Sequence, residues 1–252
     1  ICMNDISSYI NAAIKKIPFN LFNIISEYIS LNSNVKVAIV GGYIRDLLIT
    51  RIHNETFFNP IDIDIITEGS SVDLAKFIKK NIQNVKFCLI KEFEIYNTVE
   101  LNINNLKIDI ASTRKESYEA PGFNPIIKKA NIKDDLKRRD FSINAIAFEL
   151  SKKELYDFFD GIKHIKNKEL HLLHENSIKD DPSRLIRCAR YASRLGFKIS
   201  NKSLQQSQRT IARWPWAAIK DDKKLRFPPG ISIRIRMELS EIYKYDNLAK
   251  IL

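Results

Sequence analysis

Residues 61–67 read IDIDIIT, an alternation of apolar and acidic side chains that favours a β-strand. Period two places Asp62 and Asp64 on one face of this strand and isoleucines on the other. The isoleucine face requires neighbouring strands and a covering layer. With 252 residues, 44% of them hydrophobic, the chain is large enough to supply that core.

Hydrophobic periodicity divides the rest of the chain into two parts. Before about residue 165, helices are predicted over 1–34 (interrupted at Pro18), 43–49, 72–81 and 141–150, and strands over 35–40, 85–90, 98–103, 106–111 and 155–158. A hairpin turn is expected at Asn104-Asn105, and a mobile loop over 115–135. Later residues predict helices over 182–195, 202–211 and 232–252, so the fold class is α+β with an all-helical second part.

Composition limits the functional classes. The formal charge of +11 and the pI near 9.4 favour a polyanionic partner. No apolar stretch reaches 18 residues and no signal-peptide pattern is present, so we expect no membrane span. Three cysteines without a framework spacing indicate a reducing, cytoplasmic setting. The first residue is Ile1 and the last segment, DNLAKIL, is helix-like, which is typical of a trimmed chain.

Asp62 and Asp64 are candidate metal ligands because two neighbouring carboxylates repel unless a cation lies between them. Hard oxygen ligands suit Mg²⁺, which commonly shares its shell with substrate phosphates. Asp109, in the alternating segment LKIDIAS, is a third candidate if its strand lies beside the first. The alternative interpretation is a solvated strand face.

The turn VGGYIRD, residues 40–46, runs from a strand into a helix. Gly41 and Gly42 allow close approach of a phosphate, the helix N-terminus offers free N–H groups, and Arg45 is placed to clamp phosphate oxygens. An ordinary tight turn with an Arg–Asp pair is the alternative.

Two later motifs are basic. In RRDFSINAIAF (138–148), Arg139, Asp140 and Asn144 are expected at the start of a helix, with Asp140 and Asn144 on one face. In DDPSRLIRCARYASRLGF (180–197), Asp181 caps a helix, Gly196 ends it, and Leu185, Ala189, Ala192 and Leu195 form its apolar face. Asp181 and Arg184 can together read a base edge, and Arg187 and Arg190 lie nearby. The alternatives are a solvated charge cluster for the first motif, and a capped helix with a basic solvent face for the second.

These motifs, together with LYDFFDG (155–161), resemble in their order the class II tRNA nucleotidyltransferases. This family includes CCA-adding enzymes, their CC-adding and A-adding relatives, and bacterial poly(A) polymerases. The resemblance implies an N-terminal helical segment (1–34), a nucleotidyltransferase head (35–150), a neck with a base-recognition helix (151–200) and the start of a helical body (201–252). It also implies a loop over 115–137 that influences the switch from C to A addition.

The resemblance further implies a role for each matching residue. Asp62 and Asp64 would hold Mg²⁺, with Asp109 as the third catalytic carboxylate. The nucleotide would be bound by Gly41, Gly42, Arg45, Arg139, Asp140, Asn144, Asp181, Arg184, Arg187 and Arg190. Two departures stand out: Asp180 occupies a position that is usually Glu, and the helix matching ISIRIRMEL (231–239) has Ile233 where a Glu is usual.

We therefore expect Mg²⁺-dependent, template-independent addition of C and/or A to the 3′ end of tRNA from CTP and ATP. Two alternatives stay open: a poly(A) polymerase of the same family, and a basic RNA-binding protein without catalytic activity.

Overall fold

The computed structural model describes residues 3–55, 62–213, 219–221, 224–226 and 229–245. Within these ranges the α-helices are α1 (Met3–Ile14), α2 (Leu21–Leu31), α3 (Gly42–His53), α4 (Ser71–Asn81), α5 (Ile132–Lys137), α6 (Gly161–Lys166), α7 (Ser177–Asp180), α8 (Ser183–Leu195), α9 (Asn201–Ile211) and α10 (Pro229–Tyr245). The strands are β1 (Val37–Val40), β2 (Asp62–Thr67), β3 (Cys88–Phe93), β4 (Thr98–Ile103), β5 (Leu106–Ser112), β6 (Arg114–Ser117), β7 (Ile126–Lys129), β8 (Ile146–Glu149), β9 (Glu154–Asp157), β10 (Glu169–Leu170), β11 (Lys198–Ile199), β12 (Ile219–Asp221) and β13 (Lys224–Arg226).

Seven of the described strands form one large mixed sheet, in the order β3-β4-β5-β2-β1-β8-β9. β2 and β5 pair in parallel, and every other neighbouring pair is antiparallel. The hairpin predicted at Asn104-Asn105 is confirmed: it joins β4 to β5, and Asn104 has a φ of 52°. Asparagine tolerates this left-handed conformation better than most residues.

The alternation in β2 has the predicted consequence. Ile63 and Ile65 are fully buried, whereas Asp62 is exposed and Asp64 is half-buried. On the neighbouring strand, Ile108 and Ile110 are buried while Asp109 is half-buried. α3 packs against β1 and β2, and α4 packs against β4 and β5, which gives the apolar side chains of these strands helices to pack against. The acidic side chains therefore share the opposite, more open face.

Two predictions of local structure are wrong. Residues 141–150 were expected to be a helix, but a short 3₁₀ turn over Ser142–Asn144 leads into strand β8. Every residue from 141 to 150 is buried, and a segment buried on all sides lacks the alternation that distinguishes a strand from a helix. The expected loop over 115–135 contains β6 and β7, which pair as a small sheet, and the first part of α5.

The chain divides into two compact units that interleave along the sequence. The first comprises residues 1–115, 128–137 and 143–166, and contains the large sheet with α1 to α6. The second comprises residues 116–127, 138–142 and 167–252, and contains α7 to α10.

Helices dominate the second unit, as expected, and α8 packs against α7 and α10. The expectation that it would be all-helical needs one correction, because two short strand pairs, β10–β11 and β12–β13, also form there. Across the described residues, no helix combines the length and the apolarity that a bilayer crossing requires. The predicted helix over 232–252 begins earlier, at Pro229, and its last residues, 246–252, lie outside the described part.

α8 ends at Gly196, which adopts a φ of 65°, as the sequence predicted. The start differs slightly, because Pro182 takes the N-cap position and Asp181 precedes it. Asp181 nevertheless caps the helix in effect, since its Oδ1 accepts hydrogen bonds from the backbone and hydroxyl of Ser183. The predicted apolar face is only half-buried, whereas Arg184 and Arg190 are buried. The interpretation as a solvent face is therefore wrong for these two arginines.

Candidate functional site

The parallel pairing of β2 and β5 brings together the carboxylates that the sequence singled out. Asp64 lies directly opposite Asp109 in the register, and Asp62 lies opposite Lys107. Register partners in a parallel pair point to the same face, so Asp62, Asp64 and Asp109 share the open face of the sheet. This confirms the expectation that a neighbouring strand places Asp109 beside the pair.

Lys107 belongs to the same face, and sequence reasoning missed it. Its Nζ lies 3.0 Å from Asp109 Oδ2 and 3.5 Å from Glu100 Oε2 on β4. Burial lowers the pKa of Lys107, but the hydrogen bond and negative charge of Asp109, together with the negative charges of Glu100 and Asp62, outweigh this effect and raise it. Lys107 therefore stays protonated and balances part of the acidic charge. The alternating segment LKIDIAS carried the signal, since Lys107 and Asp109 are two residues apart.

The glycine turn lies beside Asp64. Val40, the last residue of β1, pairs with Asp64, and Gly41 follows at once with a φ of 72° and a ψ of −135°. This conformation is unfavourable for residues with a Cβ, so glycine is required. α3 then begins at Gly42 without a side-chain cap. Its N-terminal N–H groups and dipole are suited to an anion near the carboxylates.

Arg45 is buried in the first turn of α3, with 2% of its surface exposed. Its Nε donates to Asp46 Oδ1 at 2.7 Å and its Nη1 to Asn144 Oδ1 at 2.8 Å. The structure thus joins two predicted nucleotide-binding residues, Arg45 and Asn144. This contact arises because β8 pairs with β1, so the turn that precedes β8 lies next to the glycine turn.

The carboxylates of β2 are the side chains whose chemistry fits a divalent cation. Asp62 and Asp64 are hard oxygen ligands on one face, next to a helix N-terminus that favours phosphate. Asp109 also accepts a hydrogen bond from Lys107. Among the residues that the structure describes, no group of three His, Cys, Asp or Glu side chains is arranged to hold a metal ion. The arrangement suits a cation that takes its remaining ligands from a substrate.

The second unit holds the other set of predicted residues. Asp140 is buried, with 7% of its surface exposed. Its Oδ2 lies 3.2 Å from Arg187 Nη1, and its Oδ1 accepts a hydrogen bond from the backbone N–H of Phe141. The expected shared helix face of Asp140 and Asn144 does not exist, because no helix forms at these residues. Arg139 is half-buried directly before Asp140.

Glu238 on α10 is the residue that sequence reasoning missed in this set. It is 4% exposed, and its carboxylate bonds to Arg187 at 2.7 Å and to Arg190 at 3.0 Å. Burial lowers the pKa of Arg187, but the charges of Asp140 and Glu238 outweigh this effect and raise it. The family pattern placed a Glu at Ile233, which is 59% exposed. The acidic partner is instead five residues further along the same helix.

Asp181 and Arg184 both have partners within the second unit. Asp181 Oδ1 also accepts from Arg234 Nε at 3.1 Å, and Arg234 Nη2 donates to the carbonyl of Gly122. Arg184 donates to the Arg138 carbonyl at 2.8 Å and to Ser177 Oγ at 2.9 Å. Within the described residues, the hydrogen bonds and ion pair of Asp181 all fall on Oδ1.

Comparison with known proteins agrees with the motifs. An A-adding tRNA nucleotidyltransferase of Aquifex aeolicus is 32% identical over 226 residues, which is 86% of this chain and 26% of that protein. A CC-adding tRNA nucleotidyltransferase of Deinococcus radiodurans is 31% identical over 71% of this chain and 46% of that protein. The solved structure of a CCA-adding enzyme with ATP superposes with a TM-score of 0.71 and 28% identity, covering 92% of this chain and 49% of the other.

This chain thus spans less than half the length of these relatives. Residues 37–171, more than half of the chain, match the family described as the Poly A polymerase head domain. The match includes the glycine turn, the carboxylates of β2 and β5, and the RRD motif. By this match, the chain belongs to the Poly A polymerase head domain family.

Proposed function

We propose that this chain carries the nucleotidyl-transfer centre of an enzyme that adds C and/or A to the 3′ end of tRNA. The observation that carries the proposal is the register of Asp64 against Asp109 beside the N-terminus of α3. It offers carboxylates for a cation and backbone N–H groups for phosphate at one place. The names of the relatives supply the substrate class.

In the proposed reaction, the 3′ oxygen of the RNA attacks the α-phosphorus of ATP or CTP. The bond from that phosphorus to the bridging oxygen breaks, and pyrophosphate leaves. Asp62 and Asp64 would hold Mg²⁺, which when bound would neutralise charge on the phosphates. The N-terminus of α3 orients the triphosphate. Asp109, fixed by Lys107, positions the 3′ hydroxyl and accepts its proton.

Arg45 and Asn144 contribute to this centre as a pair. Since Arg45 is buried and bonded to Asn144, its first effect is to fix the turn that presents Gly41 and Gly42. In the second unit, Asp181 and Arg184 select the base, and Arg187 and Arg190 line the nucleotide pocket together with Arg139 and Asp140. We propose 35–150 as the catalytic head and 151–200 as a neck, in which α8 is the base-recognition helix.

An extension assay tests the proposal. tRNA ending before CCA, after one C and after CC is incubated with Mg²⁺ and with CTP, ATP or both. Growth from the CC end with ATP alone marks A addition, growth that stops at CC marks CC addition, and growth to a defined CCA end marks both. Absence of incorporation together with absence of Mg²⁺-dependent nucleotide binding contradicts the proposal and leaves a non-catalytic RNA-binding protein.

Poly(A) synthesis is the second candidate, because the matching family is described by that activity. Adenosine ladders of increasing length on an RNA unrelated to tRNA would assign it. A product of defined length on tRNA only would exclude it.

A further inference from the structure

The edge strand of the large sheet exposes apolar side chains that the proposed chemistry does not use. The side chains of Leu89, Lys91 and Phe93 alternate onto one face of this strand, β3, and Phe87 directly precedes it. Leu89 is 61% exposed, Phe87 45% and Phe93 37%, and Lys91 lies between them, also exposed. We name Phe87, Leu89, Lys91 and Phe93 the edge platform. Exposed apolar side chains that lie next to one another are a feature of binding surfaces.

The edge platform lies on the same face of the sheet as the catalytic carboxylates. Lys91 pairs with Glu100, Glu100 pairs with Asp109, and Asp109 pairs with Asp64. These four paired residues thus form one continuous row across β3, β4, β5 and β2. Neighbouring strands are about 4.8 Å apart, so the edge platform lies about 10 Å from Asp109.

Cations accompany the aromatic rings at this edge. Lys91 Nζ lies 4.9 Å from the centre of the Phe93 ring. Arg114 lies 5.8 Å from the centre of the Tyr96 ring, and its Nη1 contacts Thr98 Oγ1 at 3.4 Å, on the same face. Rings that can stack on bases and cations that can meet phosphates are the combination that single-stranded nucleic acid requires.

We propose that the edge platform binds the single-stranded 3′ segment of the RNA substrate, with its terminal nucleotide at Asp109. This inference rests on the proposed function. Its two supports are the cations Lys91 and Arg114 and the unbroken row that leads to the reacting carboxylates. A base of the 3′ segment stacks on Phe93, Lys91 meets its phosphate, and Leu89 covers the adjoining sugar.

A binding experiment tests the edge platform with a closely matched control. The probe is a fluorescein-labelled tRNA transcript that lacks its terminal CCA, and its Kd is measured by anisotropy for the whole chain. Phe93→Ala removes a stacking ring, and we expect about tenfold weaker binding. The control is Phe158→Ala, which removes a ring next to β9, the opposite edge strand. Phe158 is 44% exposed and has Lys133 5.4 Å from its ring centre, so it matches Phe93 in exposure and in its neighbouring cation.

The charge contribution is tested separately. Lys91→Gln should weaken binding of the same probe and reduce the dependence of log Kd on log salt concentration. Both edge variants should raise the KM for RNA and leave unchanged the kcat at saturating RNA and the Kd for ATP. Equal RNA affinities of Phe93→Ala, Phe158→Ala and the unsubstituted chain would overturn the proposal.

The outcomes separate the edge platform from the proposed function. If the chain extends tRNA and Phe93→Ala binds RNA normally, the platform proposal is wrong and the activity stands. If RNA binding depends on Phe93 but no nucleotide is incorporated, the activity is wrong and the binding surface stands. If sedimentation shows self-association that Phe93→Ala abolishes, with RNA affinity unchanged, β3 is a protein interface and the platform proposal is overturned.

Discussion

Asp64 lies directly opposite Asp109 in the parallel pair β2–β5, although the two residues are far apart along the chain. Lys107 donates to Asp109 at 3.0 Å, and so the acidic face carries its own counter-charge. The glycine turn follows the strand that pairs with Asp64. Carboxylates for a cation and N–H groups for a phosphate therefore come together at three neighbouring central strands of one sheet, β1, β2 and β5. This relationship supports nucleotidyl transfer more than any single motif does.

Arg45 should stabilise the first unit through its buried hydrogen bonds. Arg45→Ala removes a donor from the buried Asn144 and from Asp46, and we expect the free energy of unfolding to fall by about 3 kcal/mol. Arg45→Lys keeps the charge but not the planar guanidinium, so its free energy of unfolding should lie between those of Arg45→Ala and the unsubstituted chain. Urea denaturation measures this. Arg51→Ala, an exposed arginine on the same helix, is the control, and equal losses for Arg45→Ala and Arg51→Ala would contradict the assignment.

Glu238 should be essential to the second unit, because it neutralises Arg187 and Arg190 together. Glu238→Ala leaves these guanidiniums without their shared carboxylate, and we expect a loss of about 3–5 kcal/mol in the free energy of unfolding. The control is Glu241→Ala, one turn further along α10 and half-buried. Unfolding curves that coincide for the two variants would show that the cluster of Glu238, Arg187 and Arg190 does not contribute to the free energy of unfolding.

Asp181 should govern the choice of base. Asp181→Ala removes the Oδ2 acceptor, and we expect the ratio of kcat/KM for CTP and ATP to change by about tenfold or more. Affinity for the triphosphate should change less, since Asp181 is proposed to contact the base. The ratio is measured on one tRNA primer with each nucleotide. The control is Glu175→Gln, which removes an exposed carboxylate of the same unit and should leave the ratio unchanged. An unchanged ratio for Asp181→Ala would show that Asp181 only caps the helix.

Cys188 should make the protein sensitive to alkali. Burial, and then the negative charge of Asp140, raise the pKa of this thiol from 9.0 to about 12. A group with a raised pKa in the folded state contributes stability that is complete below pH 9 and is lost as the pH rises towards 12. By pH 12 the loss amounts to about 4 kcal/mol. Cys188→Ala should therefore flatten the decline of Tm above pH 9, and parallel declines would contradict this.

The sequence predicts the elements whose periodicity is local. Three local features are predicted correctly, because each depends on residues that are neighbours in the sequence: the strand β2, the hairpin at Asn104-Asn105 and the glycine turn. Residues 141–150 do not, because a strand buried on both faces loses the alternation that would identify it.

Long-range contacts account for most of what the sequence does not reveal. The arginines of α8 have the spacing of a solvent face, and their partner Glu238 lies on a distant helix. The pairing of Arg45 with Asn144 depends on β8 lying next to β1, which no local pattern encodes. The family motifs nevertheless single out Arg45, Asn144, Arg187 and Arg190.

Asp62 and Asp64 are the residues on which the proposed nucleotidyl transfer depends most. The most direct test is Mg²⁺-dependent extension of tRNA lacking its CCA end by the unsubstituted chain and by Asp64→Asn. Asp73→Asn, an exposed aspartate on α4 of the same unit, is the control. We predict that Asp64→Asn lowers kcat at least about a hundredfold without reducing Tm, while Asp73→Asn retains activity. Extension by Asp64→Asn at the unsubstituted rate would show that Asp64 does not take part in nucleotidyl transfer.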